Sequence, residues 1–221
     1  MVRSLFLLFS VTVCLKGYAD INLTSLSSRA IQEWDVEVFS GETIYSIGEY
    51  KGRLGLKALS NNTASGLVLK KQIDLTKTPY LSWSWLVEKQ LLELEERSKS
   101  GDDFTARIYV VIDGGLLFWR TQSLNYVWSS NQEKGLVWNN PFAGSNVKMI
   151  SIQGKASKTG HWYEEKRNVY QDLINTLGDK GSEEENRKAY KYIDIIAIMT
   201  DTDNSEKDAE SYYGDIVFST M

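Results

Sequence analysis

The sequence predicts an all-β protein: a two-sheet antiparallel β-sandwich that carries one or two short helices. Three observations indicate this fold class. Along most of the chain, short apolar segments alternate with polar residues, as in strands that bury one face. Turns rich in glycine, asparagine and aspartate separate these segments at short intervals. The 221 residues also include seven tryptophans and twelve tyrosines, and aromatic residues at this density favour strands over helices.

The clearest strand is predicted over residues 105–113. Successive side chains of a strand point to opposite faces, so Ile108 and Val110 share one face while Arg107 and Tyr109 share the other. The second face is therefore either a polar groove or a partly buried network of ion pairs. Further strands are predicted over residues 36–39, 44–47, 54–58, 67–73, 81–87, 147–152, 193–199 and 212–218.

Helical patterns are few. Apolar residues at helical spacing predict a short helix over residues 169–177, and Gly178 provides its stop signal. The charged segment 183–190 is predicted to be a solvent-exposed helix or a loop. Segment 90–99 contains good helix formers but has no convincing N-cap, so its conformation stays open.

The beginning of the chain has the pattern of a secretory signal peptide. Arg3 precedes an apolar run over residues 5–15, and the small residues Gly17 and Ala19 occupy the −3 and −1 positions of a cleavage site. The run is shorter than the roughly 20 residues that a membrane-spanning helix needs. We therefore predict a signal peptide over residues 1–19, which implies a periplasmic or secreted protein.

The mature chain, residues 20–221, is predicted to form a single domain without a transmembrane segment. The sole cysteine, Cys14, lies in the signal peptide, which excludes disulfides and thiol chemistry from the mature chain. The signal peptide holds two basic and no acidic residues, so the net charge of −4 becomes −6 after cleavage. Such a charge argues against a nucleic-acid partner.

Nine short segments of the sequence, taken together, match a pattern that is typical of one protein family. They are IDLT at 73–76, LSWSW at 81–85, GDDF at 101–104, ARIYVV at 106–111, NYVWS at 125–129, NPF at 140–142, EKRNV at 165–169, IAIMTDTDN at 196–204 and YGDI at 213–216. Over residues 34–219 the chain resembles the bacterial domain-of-unknown-function 3047 family. The resemblance implies a jelly roll similar to galactose-binding-like and carbohydrate-binding modules, on exported proteins of Gram-negative bacteria. It implies no activity.

Several acidic residues stand next to apolar strands, where a carboxylate is costly unless a cation, an arginine or several donors meet it. Distant strands become neighbours in a jelly roll, so Arg107 is expected to pair with Asp201. We predict one polar cluster, or two adjoining ones, formed by Asp102, Asp103, Arg107, Arg167, Asp201, Asp203 and Asp215. Its role is either structural or ligand-binding. The complete set of predicted ligand-binding residues adds Tyr109, Asn125, Tyr126 and Trp128.

The residues Asp201, Asp203 and Asn204 offer the oxygen ligands that Ca²⁺ prefers. A calcium site is one interpretation of this loop. The alternatives are a turn whose side chains bind their own backbone amides, or acids that pair with a ligand or an arginine. No other cofactor is expected.

Three functions are compatible with these features. The first is non-catalytic binding of a carbohydrate or glycan-like ligand in the cell envelope. The second is a carbohydrate-active hydrolase or lyase with a carboxylate pair, drawn from Asp102, Asp103, Glu164, Glu165, Asp201 and Asp203. The third is a structural or assembly partner in the envelope. A Ser-His-Asp arrangement would need His161, the only histidine.

Overall fold

The computed structural model describes residues 18–26 and 31–221, so the predicted signal peptide lies almost wholly outside the described residues. Within these ranges the chain forms fourteen strands and two α-helices. The strands are β1 (Ile21–Asn22), β2 (Asp35–Ser40), β3 (Ile44–Tyr50), β4 (Arg53–Asn61), β5 (Ala64–Asp74), β6 (Tyr80–Lys89), β7 (Arg107–Ile112), β8 (Gln122–Trp128), β9 (Val137–Asn140), β10 (Gly144–Gln153), β11 (Tyr163–Asn168), β12 (Tyr192–Asp201), β13 (Asp208–Tyr213) and β14 (Val217–Ser219). The helices are α1 (Val169–Leu177) and α2 (Glu183–Tyr190), and 3₁₀ turns cover Lys99–Gly101 and Phe118–Arg120. In the described part of the chain no helix is long and apolar enough to cross a bilayer.

The strands form two seven-stranded sheets. The first sheet has the order β1-β14-β6-β13-β4-β3, with β11 along the other edge of β6. The second sheet has the order β2-β5-β12-β7-β8-β10-β9. The predicted all-β, two-sheet sandwich is confirmed. One pairing departs from the antiparallel expectation. Strand β10 lies between β9 and β8; it pairs antiparallel with β9 but parallel with β8.

Large aromatic side chains fill the space between the two sheets. Trp85 of the first sheet meets Trp128 of the second edge to face, with ring centroids 6.1 Å apart. Trp83 stacks on Tyr126 at 5.2 Å. All four rings are almost fully shielded from solvent. Because no disulfide contributes to the described fold, burial of such apolar area is its main source of stability.

The helix predicted over residues 169–177 is present, and segment 183–190, predicted as a helix or a loop, is a helix. Local capping explains the limits of both. Helix α1 begins after Asn168, whose side chain accepts a hydrogen bond from the Gln171 N–H at 3.0 Å. It ends at Gly178, whose φ of 103° favours glycine. Helix α2 begins after Ser182, which caps the Glu185 N–H in the same way.

Segment 90–99 contains no α-helix, because its side chains form hydrogen bonds and apolar contacts with other parts of the chain. The buried carboxylate of Glu96 accepts hydrogen bonds from the side chains of Ser129 and Ser130, and from the Ser130 N–H. Leu91 packs with Ala209 of β13 in a small separate apolar cluster. These tertiary contacts override the helix propensity of the segment.

Two differences from the predicted strands have local causes. The prediction missed β8 because its outward positions are polar, as at Ser123 and Asn125, and therefore weaken the apolar signal. The predicted strand over residues 212–218 is split between β13 and β14. Gly214 interrupts it, where its N–H donates to the Ser84 carbonyl at 2.8 Å and leaves no room for a Cβ.

Candidate functional site

A groove of about 490 Å³ lies on the face of the second sheet that is turned away from the core. It takes lining residues from all seven strands of that sheet. A smaller hollow of about 170 Å³ adjoins it and shares Phe39, Tyr109 and Met199. Because its lining residues come from every strand of the sheet, the groove runs across the strands and not along one of them.

Strand alternation places the polar residues in this groove. On β7, Ile108 and Val110 enter the core, whereas Arg107 and Tyr109 line the groove, as the sequence predicted. The register continues the same face onto both neighbours: Met199 of β12 is opposite Arg107, and Asn125 of β8 is opposite Tyr109. Residues on three central strands thus form one floor.

Two exposed phenylalanines border the groove, one at each edge of the second sheet. Phe39 belongs to the edge strand β2 and is 68% exposed. It occupies a register shift between Val38 and Ser40, and such a bulge redirects a side chain. Phe142 follows β9 at the other edge and is 57% exposed. Neither phenylalanine is among the site residues predicted from the sequence.

Asn140 fixes the position of Phe142 and joins it to the acids. Its side-chain oxygen accepts the N–H groups of Phe142 and Ala143, both at 3.0 Å. Its amide nitrogen donates to Asp102 Oδ2 at 2.8 Å. The NPF string at residues 140–142 was the only sequence signal for this arrangement.

Arg107 is the basic residue that faces the acids of the groove, and it is 3% exposed. Its Nη2 donates to Asp201 Oδ2 at 2.7 Å and to the Asp102 carbonyl at 2.8 Å. The guanidinium also lies over the Phe104 ring, 4.4 Å from its centroid, and 5.4 Å from that of Tyr109. The predicted meeting of Arg107 and Asp201 is confirmed.

The remaining acids are held by backbone donors. Asp103 accepts the Asn204 N–H at 3.2 Å and the Ser205 N–H at 2.6 Å. Asp201 Oδ1 accepts the Phe104 N–H at 3.1 Å. Asp203 is partly exposed and lines the groove. These contacts join the loop after the 3₁₀ turn Lys99–Gly101 to the loop after β12, at one end of the groove.

Four carboxylates share this end of the groove with a single guanidinium. Burial raises the pKa of Asp201 to about 8; Arg107 opposes this shift, and Asp103 adds to it. Burial likewise raises the pKa of Asp102 above its usual range. Burial lowers the pKa of Arg107, but the acidic groups around it, led by Asp201, together outweigh burial and raise this pKa above its usual value. The arginine therefore stays charged, while the acids lack full compensation.

The three residues predicted to bind calcium differ in their suitability. One oxygen each of Asp103, Asp201 and Asp203 lies within 4.8 Å of the others. Asn204 instead directs its amide nitrogen at Asp103 Oδ1, at 3.1 Å, and so offers a donor there. The calcium site stays a prediction, with Asp103 as a further ligand candidate.

Two predicted ligand contacts are wrong, because strand alternation turns them into the core. Tyr126 and Trp128 alternate with Asn125 on β8 and are almost completely buried. The Tyr126 hydroxyl donates to Asp172 Oδ2 at 2.9 Å. Trp128 packs between aromatic rings of the first sheet. Asn125 does line the groove, but it is buried and its amide already contacts Ser123 and Met149.

Arg167 and Asp215 do not join the predicted cluster, because both belong to the first sheet or its connections. Arg167 forms an ion pair with Asp172 in a separate cleft of about 420 Å³ beside β10 and β11. Asp215 accepts a hydrogen bond from the Thr24 hydroxyl at 3.1 Å. The observed cluster therefore contains five of the seven predicted residues: Asp102, Asp103, Arg107, Asp201 and Asp203.

The other candidates for catalysis lie outside the groove. Glu164 forms an exposed ion pair with Arg53 on the first sheet. Glu165 lines the separate cleft and accepts hydrogen bonds from Trp85 and Gln153. His161 is exposed and is not among the residues that line the groove.

Fold and site together define a β-sandwich of the jelly-roll class, with a groove across one sheet that two exposed phenylalanines border and that buried acids and one arginine underlie. In sequence, residues 32–217 match the family described as protein of unknown function DUF3047, and the chain belongs to this family. The predicted family is thus confirmed. No protein with a curated description matches the sequence.

Several solved structures are similar in fold. "Cellulose induced protein, Cip1" has a TM-score of 0.49 at 8% identity, covering 92% of this chain and 98% of that chain. The xyloglucanase domain of NopAA, a type three effector from Sinorhizobium fredii in complex with cellobiose, has a TM-score of 0.46 at 10% identity, covering 84% and 92%. CBM29_1, a family 29 carbohydrate-binding module from Piromyces equi, has a TM-score of 0.35 at 12% identity, covering 94% and 93%.

Proposed function

We propose that this chain binds an extended carbohydrate or glycan-like ligand in the groove of the second sheet, without cleaving it. The observation that carries the proposal is the pair of exposed phenylalanines, Phe39 and Phe142, at opposite ends of a floor that Tyr109, Asn125 and Met199 help to form. Aromatic faces stack on the apolar faces of sugar rings, and planar polar groups meet their hydroxyls.

The state of the acids favours binding over hydrolysis. Glycoside cleavage by the common mechanism needs two carboxylates that flank the scissile bond. Both oxygens of Asp201 already accept hydrogen bonds, one from Phe104 N–H and one from Arg107. Asp102 is 6% exposed and its Oδ2 is bound to Asn140. Among the acids that line the groove, Asp203 is the one that reaches solvent to a larger extent.

The test is binding of soluble oligosaccharides and polysaccharides, first on a glycan array and then by calorimetry. We expect Phe39→Ala and Phe142→Ala each to weaken binding by roughly five-fold, which corresponds to about 1 kcal/mol of lost stacking. Both side chains are exposed, so the melting temperature should change little.

Phe118→Ala is the matched control, because Phe118 is 75% exposed but does not line the groove. Equal weakening by Phe118→Ala, or no saturable binding to any carbohydrate, would contradict the proposal. Release of new reducing ends from a bound polysaccharide would replace it with the hydrolase alternative.

We further propose that residues 1–19 direct export and that the groove therefore faces an extracytoplasmic ligand. The support is the signal-peptide pattern of Arg3, the apolar run and the small residues before Asp20. The intact mass of the protein recovered from a periplasmic or culture fraction should equal that of a chain that begins at Asp20. Recovery of only the full-length mass from the cytoplasm would contradict export.

A further inference from the structure

We infer that Asp103, Asp201 and Asp203 form a binding site for one divalent cation, and that Ca²⁺ is the ion whose chemistry fits them. The first step is geometric. Each residue contributes one carboxylate oxygen, and the three oxygens lie within 4.8 Å of one another. Calcium binds oxygen at 2.3–2.6 Å, so two oxygens on the same ion are up to about 5 Å apart. The three acids can therefore share one ion.

A second and independent observation is an unpartnered oxygen next to these acids. Asp102 is 6% exposed, and its Oδ1 is buried without a hydrogen-bond partner among the described residues. Its Oδ2 lies 3.9 Å from Arg107 Nη1, and the carboxylates of Asp103 and Asp203 act on the same group with charge of the opposite sign to Arg107. A buried carboxylate oxygen without a partner is costly in a native structure. A cation between the neighbouring acids would compensate this charge.

The positive charge already present is insufficient. Arg107 directs Nη2 at Asp201 and at the Asp102 carbonyl, and its Nη1 lies 3.9 Å from Asp102 Oδ2, while its Nε has no partner in the described structure. One guanidinium thus faces four carboxylates. Charges of one sign at such short distances repel unless a counter-ion or a proton intervenes.

The hydrogen bonds of the acids position them without saturating them. Asp103 Oδ2 accepts one N–H, from Ser205, and each oxygen of Asp201 accepts one donor. A carboxylate oxygen can accept two donors or ligands, so lone pairs stay available. Asp203 is partly exposed, so water can complete the six to eight ligands of calcium.

Metal-free protein is titrated with CaCl₂ by calorimetry, and its thermal unfolding is followed in parallel with MgCl₂ as the comparison ion. We expect one Ca²⁺ per chain and a higher melting temperature in millimolar Ca²⁺. The effect of Mg²⁺ should be smaller, because Mg²⁺ needs a tighter octahedral shell. Sugar is absent from this experiment, so its outcome is independent of the proposed carbohydrate binding.

Asp203→Asn should lower the affinity for Ca²⁺ at least roughly tenfold, because the site loses a charged ligand. Asp203 is partly exposed, and circular dichroism verifies that the variant folds. Glu206→Gln is the matched control: it removes one charge from the same loop at an exposed position and should leave the affinity unchanged.

Three results would overturn the inference. They are no saturable heat or thermal shift with Ca²⁺, equal affinity in Asp203→Asn and wild type, and equal weakening by Glu206→Gln. The last result would show diffuse attraction by the acidic loop. Equal stabilisation by Mg²⁺ would overturn the assignment to calcium.

Discussion

The guanidinium of Arg107 and the carboxylate of Asp201 are 2.7 Å apart, although 94 residues separate them in the chain. Antiparallel pairing of β7 with β12 brings them together, with Met199 opposite Arg107 and Asp201 two residues further on the same face. Both side chains are almost completely buried. This ion pair therefore joins the two central strands beneath the groove.

The first prediction concerns this ion pair. Arg107→Ala would leave several buried acids without their guanidinium, and the free energy of unfolding should fall by about 3–5 kcal/mol. Urea denaturation followed by tryptophan fluorescence measures the change. Arg53→Ala is the control, because its partner Glu164 is exposed; its cost should stay within about 1 kcal/mol. Similar losses in the two variants would show that burial of Arg107 is unimportant.

Much of the fold followed from sequence because its signals are local. Alternation on β7 assigned Arg107 and Tyr109 to one face, and the spacing of residues 169–177 predicted α1 with its observed bounds. Acids beside apolar strands also indicated the polar cluster. These features depend on residue order within one element and on the cost of burying charge.

What the sequence did not predict depends on which sheet a strand joins. Arg167 and Asp201 were predicted to meet, yet β11 joins the first sheet and β12 the second. Tyr126 and Trp128 had the residue types of a sugar-binding surface, but the strand register turned them inward. Phe39 becomes a groove residue through a bulge in β2, which has no pattern in sequence.

The second prediction distinguishes a core tyrosine from a ligand contact. Tyr126→Phe removes the hydroxyl that donates to Asp172, while Asp172 keeps its ion pair with Arg167. The free energy of unfolding should fall by about 1–2 kcal/mol, and carbohydrate affinity should be unchanged. Denaturation and calorimetry of the same preparation measure both quantities. Weaker binding at unchanged stability would return Tyr126 to the set of ligand contacts.

The third prediction is a pH dependence. Burial raises the pKa of the Glu96 carboxyl above its usual 4.5, and hydrogen bonds from Ser129 and Ser130 oppose this only in part. The folded chain then holds the Glu96 proton more tightly than the unfolded chain does. The free energy of unfolding therefore falls as pH rises from 4.5 through the raised pKa.

Glu96→Gln should weaken this dependence, measured by urea denaturation at pH values from about 4 to 8. The exposed Glu206→Gln is the control and should keep the wild-type profile. If Glu96→Gln also keeps that profile, protonation of Glu96 is not linked to folding.

The fourth prediction concerns the turn that precedes Asp102. A Cβ on Gly101 would lie 2.6 Å from the backbone of Glu95, closer than atoms can pack. Gly101→Ala should therefore destabilise the fold by about 1–3 kcal/mol, because the turn must shift. Gly48→Ala is the control: a Cβ at Gly48 meets nothing within 4 Å. Equal melting temperatures of the two variants would contradict the close packing of this turn.

Strand β12 lies between β5 and β7, although it is among the last strands to be synthesised. A nascent chain that has not reached residue 192 already contains Phe39, Arg107 and Phe142, yet the strand that joins their two half-sheets is missing. Loop closure over such distances must precede any stabilising contact, so the groove forms late. Ribosome-bound or truncated chains that end before β12 would therefore expose two unpaired strand edges, and the proposed ligand binding would appear only once β12 has been synthesised.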